Sequence, residues 1–124
     1  MISFDIEDAV PPKGYDAKYR FYDVFTGRYF TATYGSILAA ALWLNHELAR
    51  MQHNVSLNDF YSRIGVFDFS DDLNAYGWDC QELWKDDGAW IGIEIKQNQR
   101  WNPYLKRSIF ELVLDYTVYP VEMF

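Results

Sequence analysis

Between Asp68 and Asp87, seven carboxylates (Asp68, Asp71, Asp72, Asp79, Glu82, Asp86 and Asp87) stand against the single Lys85 and are interleaved with Phe67, Phe69, Tyr76, Trp78 and Trp84. Grouped carboxylates can ligate calcium or magnesium through oxygen, or work in pairs as acid and base on a glycosidic bond. Both need a spacing that this stretch lacks. No EF-hand loop with its glycine at the sixth position is present, so the acids read as solvated loop positions and no metal is expected. Zinc would have to rely on His46, His53 and Cys80, with no Cys-x-x-Cys or His-Glu-x-x-His among them. His46 and His53 are seven apart in sequence, about two helical turns, and read as exposed helix positions. Cys80 lies beside Asp79 and near Glu82, whose charge raises a thiol pKa and blunts it as a nucleophile. There is no Gly-x-Ser-x-Gly, and Gly88 and Gly92 match no phosphate loop. No catalytic residue and no cofactor is expected.

A second group combines charge with rings. Arg100, Lys106 and Arg107 alternate with Trp101 and Tyr104, a pattern that can stack and neutralise single-stranded nucleic acid. The formal charge of −7 opposes that use, because an acidic domain repels phosphate. Contact with an acidic protein or with the acidic loop of a second copy explains the group equally well. What remains is recognition. Phe67, Phe69, Tyr76, Trp78 and Trp84 would be anchors inside a rim of Asp71, Asp72, Asp86 and Asp87, with Arg100 and Trp101 as a further contact. The plainer reading is that these rings fill a small core.

The elements that must position these groups are partly written in the chain. Tyr19–Phe25 and Arg28–Thr33 flank Thr26-Gly27 and predict a hairpin with a short loop. Ser36 reads as the cap of a helix from Ile37 to about Gln52, with Ile37, Ala41, Leu44, Leu48 and Met51 on one face and Asn45, His46, Glu47 and Arg50 turned away. Ser56 caps a shorter helix. Asp59 stands at capping-box spacing, Val55 and Phe60 at staple spacing, and Gly65 supplies the left-handed closing residue. As a helix-turn-helix DNA reader this pair is poor, since its second helix offers little beyond Asn58 and Arg63. Trp90–Lys96 and Ile109–Val118 alternate as two strands of an antiparallel pair, joined by a polar connection over Gln97–Arg107.

The expected fold is α+β: an antiparallel sheet of about four strands, from two hairpins, packed on one long helix with a second short capped helix. Residues 1–17 read as a lead-in broken by Pro11-Pro12-Lys13-Gly14, and residues 18–124 as a single domain. A lone cysteine makes no internal disulfide. The acidic start lacks a signal-peptide pattern, and no apolar run approaches the ~18 residues of a membrane span.

Thr26-Gly27-Arg28, then Val55-Ser56-Leu57-Asn58-Asp59-Phe60-Tyr61 with Gly65, Asp72-Leu73, Gly77-Trp78, Leu114-Asp115-Tyr116 and Tyr119-Pro120-Val121, resemble a group of small uncharacterised bacteriophage proteins. The resemblance spans most of the chain from about Tyr19 and departs from the group over the acidic, aromatic stretch around Asp79–Asp87. It implies a phage or prophage origin and a small accessory role, and it carries over no catalytic residue. The expectation is a non-enzymatic protein that binds a host or phage protein in the host cytoplasm, as an inhibitor of a host defence system in its sharper form. The alternatives are a virion component, held by its acidic loop against the basic 96–107 segment of the next copy, and an enzyme with a carboxylate-based site.

Overall fold

The computed structural model describes residues 2–6, 8–50, 54–66, 75–79 and 91–122. Through them the chain runs β1 (Ile2–Asp5), β2 (Lys18–Asp23), β3 (Arg28–Thr33), α1 (Tyr34–Ala49), β4 (Val55–Ser56), α2 (Leu57–Ile64), β5 (Tyr76–Trp78), β6 (Ile93–Asn102), β7 (Arg107–Tyr116) and β8 (Val121–Glu122). Strands β2 and β3 form the hairpin that Thr26-Gly27 signals, in register from Lys18↔Thr33 to Asp23↔Arg28. The strands end at Asp23 because its carboxylate closes the turn. Asp23 Oδ2 accepts the Thr26 N–H at 3.2 Å and the Thr26 hydroxyl at 2.7 Å, and Gly27 follows at φ +69°.

Helix α1 begins at Tyr34, three residues before Ile37, and its cap is Thr33, not Ser36. Thr33 Oγ1 accepts the Ser36 N–H at 3.0 Å, and Ser36 Oγ donates back to the Thr33 carbonyl at 3.0 Å. Two hydroxyl residues at capping-box spacing compete for the role, and the upstream one wins by satisfying a donor of the first turn. Ile37, Ala40, Ala41, Leu44 and Leu48 turn to the core, and so does Asn45, which the sequence reading placed on the polar side. Helix α2 has the two ends written in the sequence, the Ser56 cap and the Gly65 close. Ser56 Oγ accepts the Asp59 N–H at 3.1 Å, Gly65 adopts φ +97°, and the Val66 N–H reaches the Tyr61 carbonyl at 2.9 Å.

The sheet corrects the expectation of four strands on one long helix. Five strands lie in the order β1-β6-β7-β2-β3, and three more form a second sheet, β4-β5-β8. The two expected hairpins are present, but they join through a parallel seam in which Phe21, Tyr22 and Asp23 face Leu112, Val113 and Leu114. Strand β1 adds an antiparallel edge, Ile2↔Gln97 to Asp5↔Glu94. Alternation predicts which residues share a face; it does not say which hairpin edges meet. The strands of the second sheet are two or three residues long, too short for any period to register. Gly77 is what lets β4 and β5 close. A Cβ there would press into the Val55 carbonyl and lie 2.9 Å from Ser56 Cα.

Strands β6 and β7 also run further than predicted. Their pairing continues from Ile93↔Tyr116 to Asn102↔Arg107, so most of the expected 97–107 connection is strand and only residues 103–106 turn. One face of the large sheet is apolar: Phe21, Phe30, Ala32, Ile93, Ile95, Leu112, Leu114 and Tyr116 are buried in one cluster with residues of both helices. The opposite face carries Arg20, Tyr22, Tyr29, Glu111, Val113 and Lys96, all half-buried or exposed.

Candidate functional site

Asp23 has no solvent exposure. Its location follows from the strand period, which turns positions 19, 21 and 23 of β2 inward. A carboxylate so placed must collect donors, and it does. Besides Thr26 on Oδ2, Tyr61 donates its hydroxyl to Oδ2, and Tyr116 donates to Oδ1 at 2.8 Å. The two tyrosine hydroxyls lie 3.3 Å apart. Helix α2 supplies Tyr61, and the end of β7 supplies Tyr116. Phe60 stands 5.8 Å from Trp78 and 6.1 Å from Tyr116, ring centre to ring centre, and Trp78 is 5.9 Å from Tyr116. The cluster is closed to solvent by these rings, so it joins α2, β2 and β7 and offers no reacting atom to a substrate.

Burial, and then the nearby Asp23 charge, push the Tyr61 hydroxyl far above the ordinary 10.0. Burial, then Tyr61 and Asp23, do the same to Tyr116. A proton held more tightly in the folded state stabilises that state fully below the unfolded pKa of 10.0, and the contribution is lost as pH rises beyond it. We therefore expect a late phase in an alkaline titration of the tyrosinate absorbance. Tyr61 and Tyr116 should ionise only together with the loss of circular dichroism. A Tyr61→Phe/Tyr116→Phe variant in which the unfolding-coupled phase keeps its full amplitude, with buried Tyr34 still contributing its share, would contradict the assignment.

Asn45 performs a similar joining role. Its Nδ2 donates to the Ile91 carbonyl at 2.8 Å and to the Ala41 carbonyl at 3.2 Å, while its Oδ1 accepts the Ile91 N–H at 2.7 Å. The side chain pairs with the backbone just before β6 as a neighbouring strand would. A cavity of about 30 Å³ lies beside it, lined by Asp5, Ile6, Ala41, Asn45, Ile91, Gly92 and Ile93. That is room for about one water and no organic substrate. The Tyr34 hydroxyl is buried without a hydrogen bond, and Gln97, though near enough to oppose the pKa rise that burial and Tyr19 cause, is not in bonding geometry.

The outer face of the five-stranded sheet is organised differently. Cross-strand register lines up Tyr29, Tyr22, Val113 and Lys96 in one row over β3, β2, β7 and β6. The Tyr22 and Tyr29 rings are 5.0 Å apart. The Arg20 guanidinium sits 4.3 Å over the Tyr29 ring, and the Tyr29 hydroxyl donates to Glu111 Oε1 at 2.8 Å. Further along, Lys96 Nζ donates to Asp115 Oδ2 at 2.5 Å, while Tyr119 Oη (2.9 Å) and the Tyr116 N–H (2.8 Å) both donate to Oδ1. Burial works to raise the Asp115 carboxyl, but these three donors outweigh it and hold the carboxyl below its ordinary range. The hydrogen bond to Asp115 raises the Lys96 ammonium in return. Tyr29 remains 43% exposed, so a partner can reach a ring already held in place by Arg20 and Glu111.

Of the residues singled out in the sequence, Trp78 is 1% exposed and donates Nε1–H to the Val118 carbonyl at 2.9 Å, which places it in the core. Tyr76 is half-buried on β5 with its ring 5.7 Å from Phe25. Arg100 and Trp101 belong to β6, opposite Ile109 and Ser108. Phe67, Phe69, Asp71, Asp72, Trp84, Asp86 and Asp87 lie outside the described residues, as do His53 and Cys80. His46 is exposed on α1. Among the described residues no three His, Cys, Asp or Glu side chains are placed to hold a metal ion, and no helix is long and apolar enough to cross a membrane. The sequence reading missed Asp23, Asn45 and the Arg20–Tyr22–Tyr29–Glu111 group. Helical spacing had the signal for Asn45, which stands four after Ala41 and three before Leu48.

Among the described residues, fold and site together define an α+β arrangement of two sheets and two helices, with a closed polar core and an aromatic, charged outer sheet face. The chain belongs to DUF6353, a family of unknown function, whose sequence model spans residues 6–124. No curated protein and no solved structure matches it.

Proposed function

We propose that this chain is a non-enzymatic interaction protein whose partner, a host or phage protein, docks on the outer face of the five-stranded sheet. The observation that carries the reading is the Arg20–Tyr29–Glu111 arrangement beside Tyr22. A stacked cation, a hydroxyl bound to a carboxylate and a neighbouring ring hold the half-exposed Tyr29 in one orientation. A preorganised tyrosine and arginine lose little entropy on binding, and these two residue types dominate the energy of protein interfaces. The carboxylate Asp23 points the same way from inside, since its full set of donors suits a structural joint. The phage setting is supported by the resemblance around Ser56–Tyr61, and the inhibitor role is its sharper form.

The full chain, immobilised and exposed to lysate of the cells that carry its gene, is expected to retain a discrete protein. Arg20→Ala/Tyr29→Ala should weaken that retention by about tenfold or more, with the thermal unfolding midpoint nearly unchanged. Equal retention by the variant, or none by the parent, would overturn the reading.

A further inference from the structure

Beyond Gln97 and Leu112, strands β6 and β7 leave the rest of the sheet. The pairing of β1 ends at Ile2↔Gln97, and the parallel pairing of β2 begins at Phe21↔Leu112. From Asn98↔Glu111 to Asn102↔Arg107, the described strands pair only with each other. Five paired positions extend about 17 Å at ~3.3 Å per residue, so β6 and β7 end in a two-stranded arm. Its tip is fully described. Pro103, Tyr104, Leu105, Lys106 and Arg107 are all exposed, Tyr104 at 93% and Leu105 at 53%. Pro103 presets one φ of the turn. Lys106 holds φ +52°, where glycine or asparagine would be relaxed, so the chain keeps a cation at the tip at some backbone cost.

Charge along the chain is strongly partitioned. Residues 98–111 contain three of the eleven Lys and Arg and, in Glu111 at the base of the arm, one of the eighteen Asp and Glu. Everything outside the arm therefore carries seventeen acids against eight bases. A cationic arm with an exposed tyrosine and leucine is complementary to a body of this composition, and every solution of the protein holds that body at the concentration of the arm. Two arms would repel each other, which argues against an arm-to-arm contact. Three cations form too few phosphate contacts to hold nucleic acid against the field of the acidic body.

We infer that the β6–β7 arm docks head-to-tail on the acidic body of a second copy of this chain. The contact joins two different surfaces, so it leads to reciprocal pairs, rings or open chains. The tip of the arm, residues 103–107, shares no residue with the Arg20–Tyr22–Tyr29–Glu111 group, and either surface can fail alone.

Sedimentation velocity of the full chain at low salt tests it. The parent should show mass growing with concentration, and added salt should reverse it. Lys106→Glu/Arg107→Glu should weaken association by about tenfold or more, with circular dichroism unchanged. Tyr104→Ser, at a position 93% exposed, is a second variant, its circular dichroism compared with the parent's. Mixed with parent, the charge-reversed chain still offers an acidic body, so capped hetero-oligomers should form. A parent that stays monomeric to about 1 mM at low salt, or association that neither variant weakens, would overturn the inference. So would a single-stranded oligonucleotide that binds the arm while the protein stays monomeric.

Discussion

Asp23→Ala is expected to destabilise the fold by about 2–5 kcal/mol, since each buried donor left without an acceptor costs about 1–3 kcal/mol. The carboxylate is fully buried and accepts from Tyr61, Tyr116 and twice from Thr26. Alanine removes every one of these acceptors. It leaves the Tyr61 and Tyr116 hydroxyls with only each other, so that one proton in the core has no acceptor, loosens the β2–β3 turn and leaves a void. Total stability of a domain this size is about 5–15 kcal/mol, so the variant should be near the edge of folding. Asp23→Asn should cost less, because one amide oxygen still accepts while the NH₂ faces a hydroxyl that must turn round to receive it. Urea unfolding followed by tryptophan fluorescence measures both. The decisive comparison is the variant in which Asp23 becomes Leu and both tyrosines become Phe. Removing donors and acceptor together leaves no orphan, so this variant should be more stable than Asp23→Ala. If Asp23→Ala alone costs under about 1 kcal/mol, the polar joint is not what holds α2 to the sheet.

Trp78→Ala is the second large effect, again about 3–5 kcal/mol. The indole is 1% exposed and packs edge-on against Phe60 at 5.8 Å and tilted against Tyr116 at 5.9 Å. Its Nε1–H also satisfies the Val118 carbonyl at 2.9 Å, which ties the chain after β7 to β5. Truncation therefore removes a large apolar area, opens a cavity and orphans a carbonyl at once. By contrast Arg20→Ala/Tyr29→Ala, on the outer face, should change stability by no more than about 1 kcal/mol. The same denaturant series separates the two surfaces. A Trp78→Ala variant that unfolds like the parent but no longer retains a partner would return this tryptophan to the recognition role its neighbours in sequence suggested.

That tryptophan shows where sequence reading loses its grip. A ring among acids, in a stretch without clear period, has the composition of an interface and the composition of a core seam. Only the pairing of β5 with β4 and β8 decides between them. Asn45 shows the converse. Its residue type pointed to solvent while its spacing pointed inward, and spacing wins because a helix turns its faces by geometry and the buried amide finds the Ile91 backbone. Asp23 was hidden for a related reason: its donors come from positions 61 and 116, far away along the chain.

What the chain determined unaided is local. The second helix with its Ser56 cap and Gly65 close, the Thr26-Gly27 turn, and the inward faces of the two long C-terminal strands all follow from side chains that act within a few residues of one another. The tertiary structure alone decided the rest: the parallel seam between β2 and β7, the edge strand β1, the second sheet, and the meeting of Asp23 with two distant tyrosines. Those contacts join segments far apart in sequence, and their free energy comes from burial and donor matching that exist only once the whole core closes.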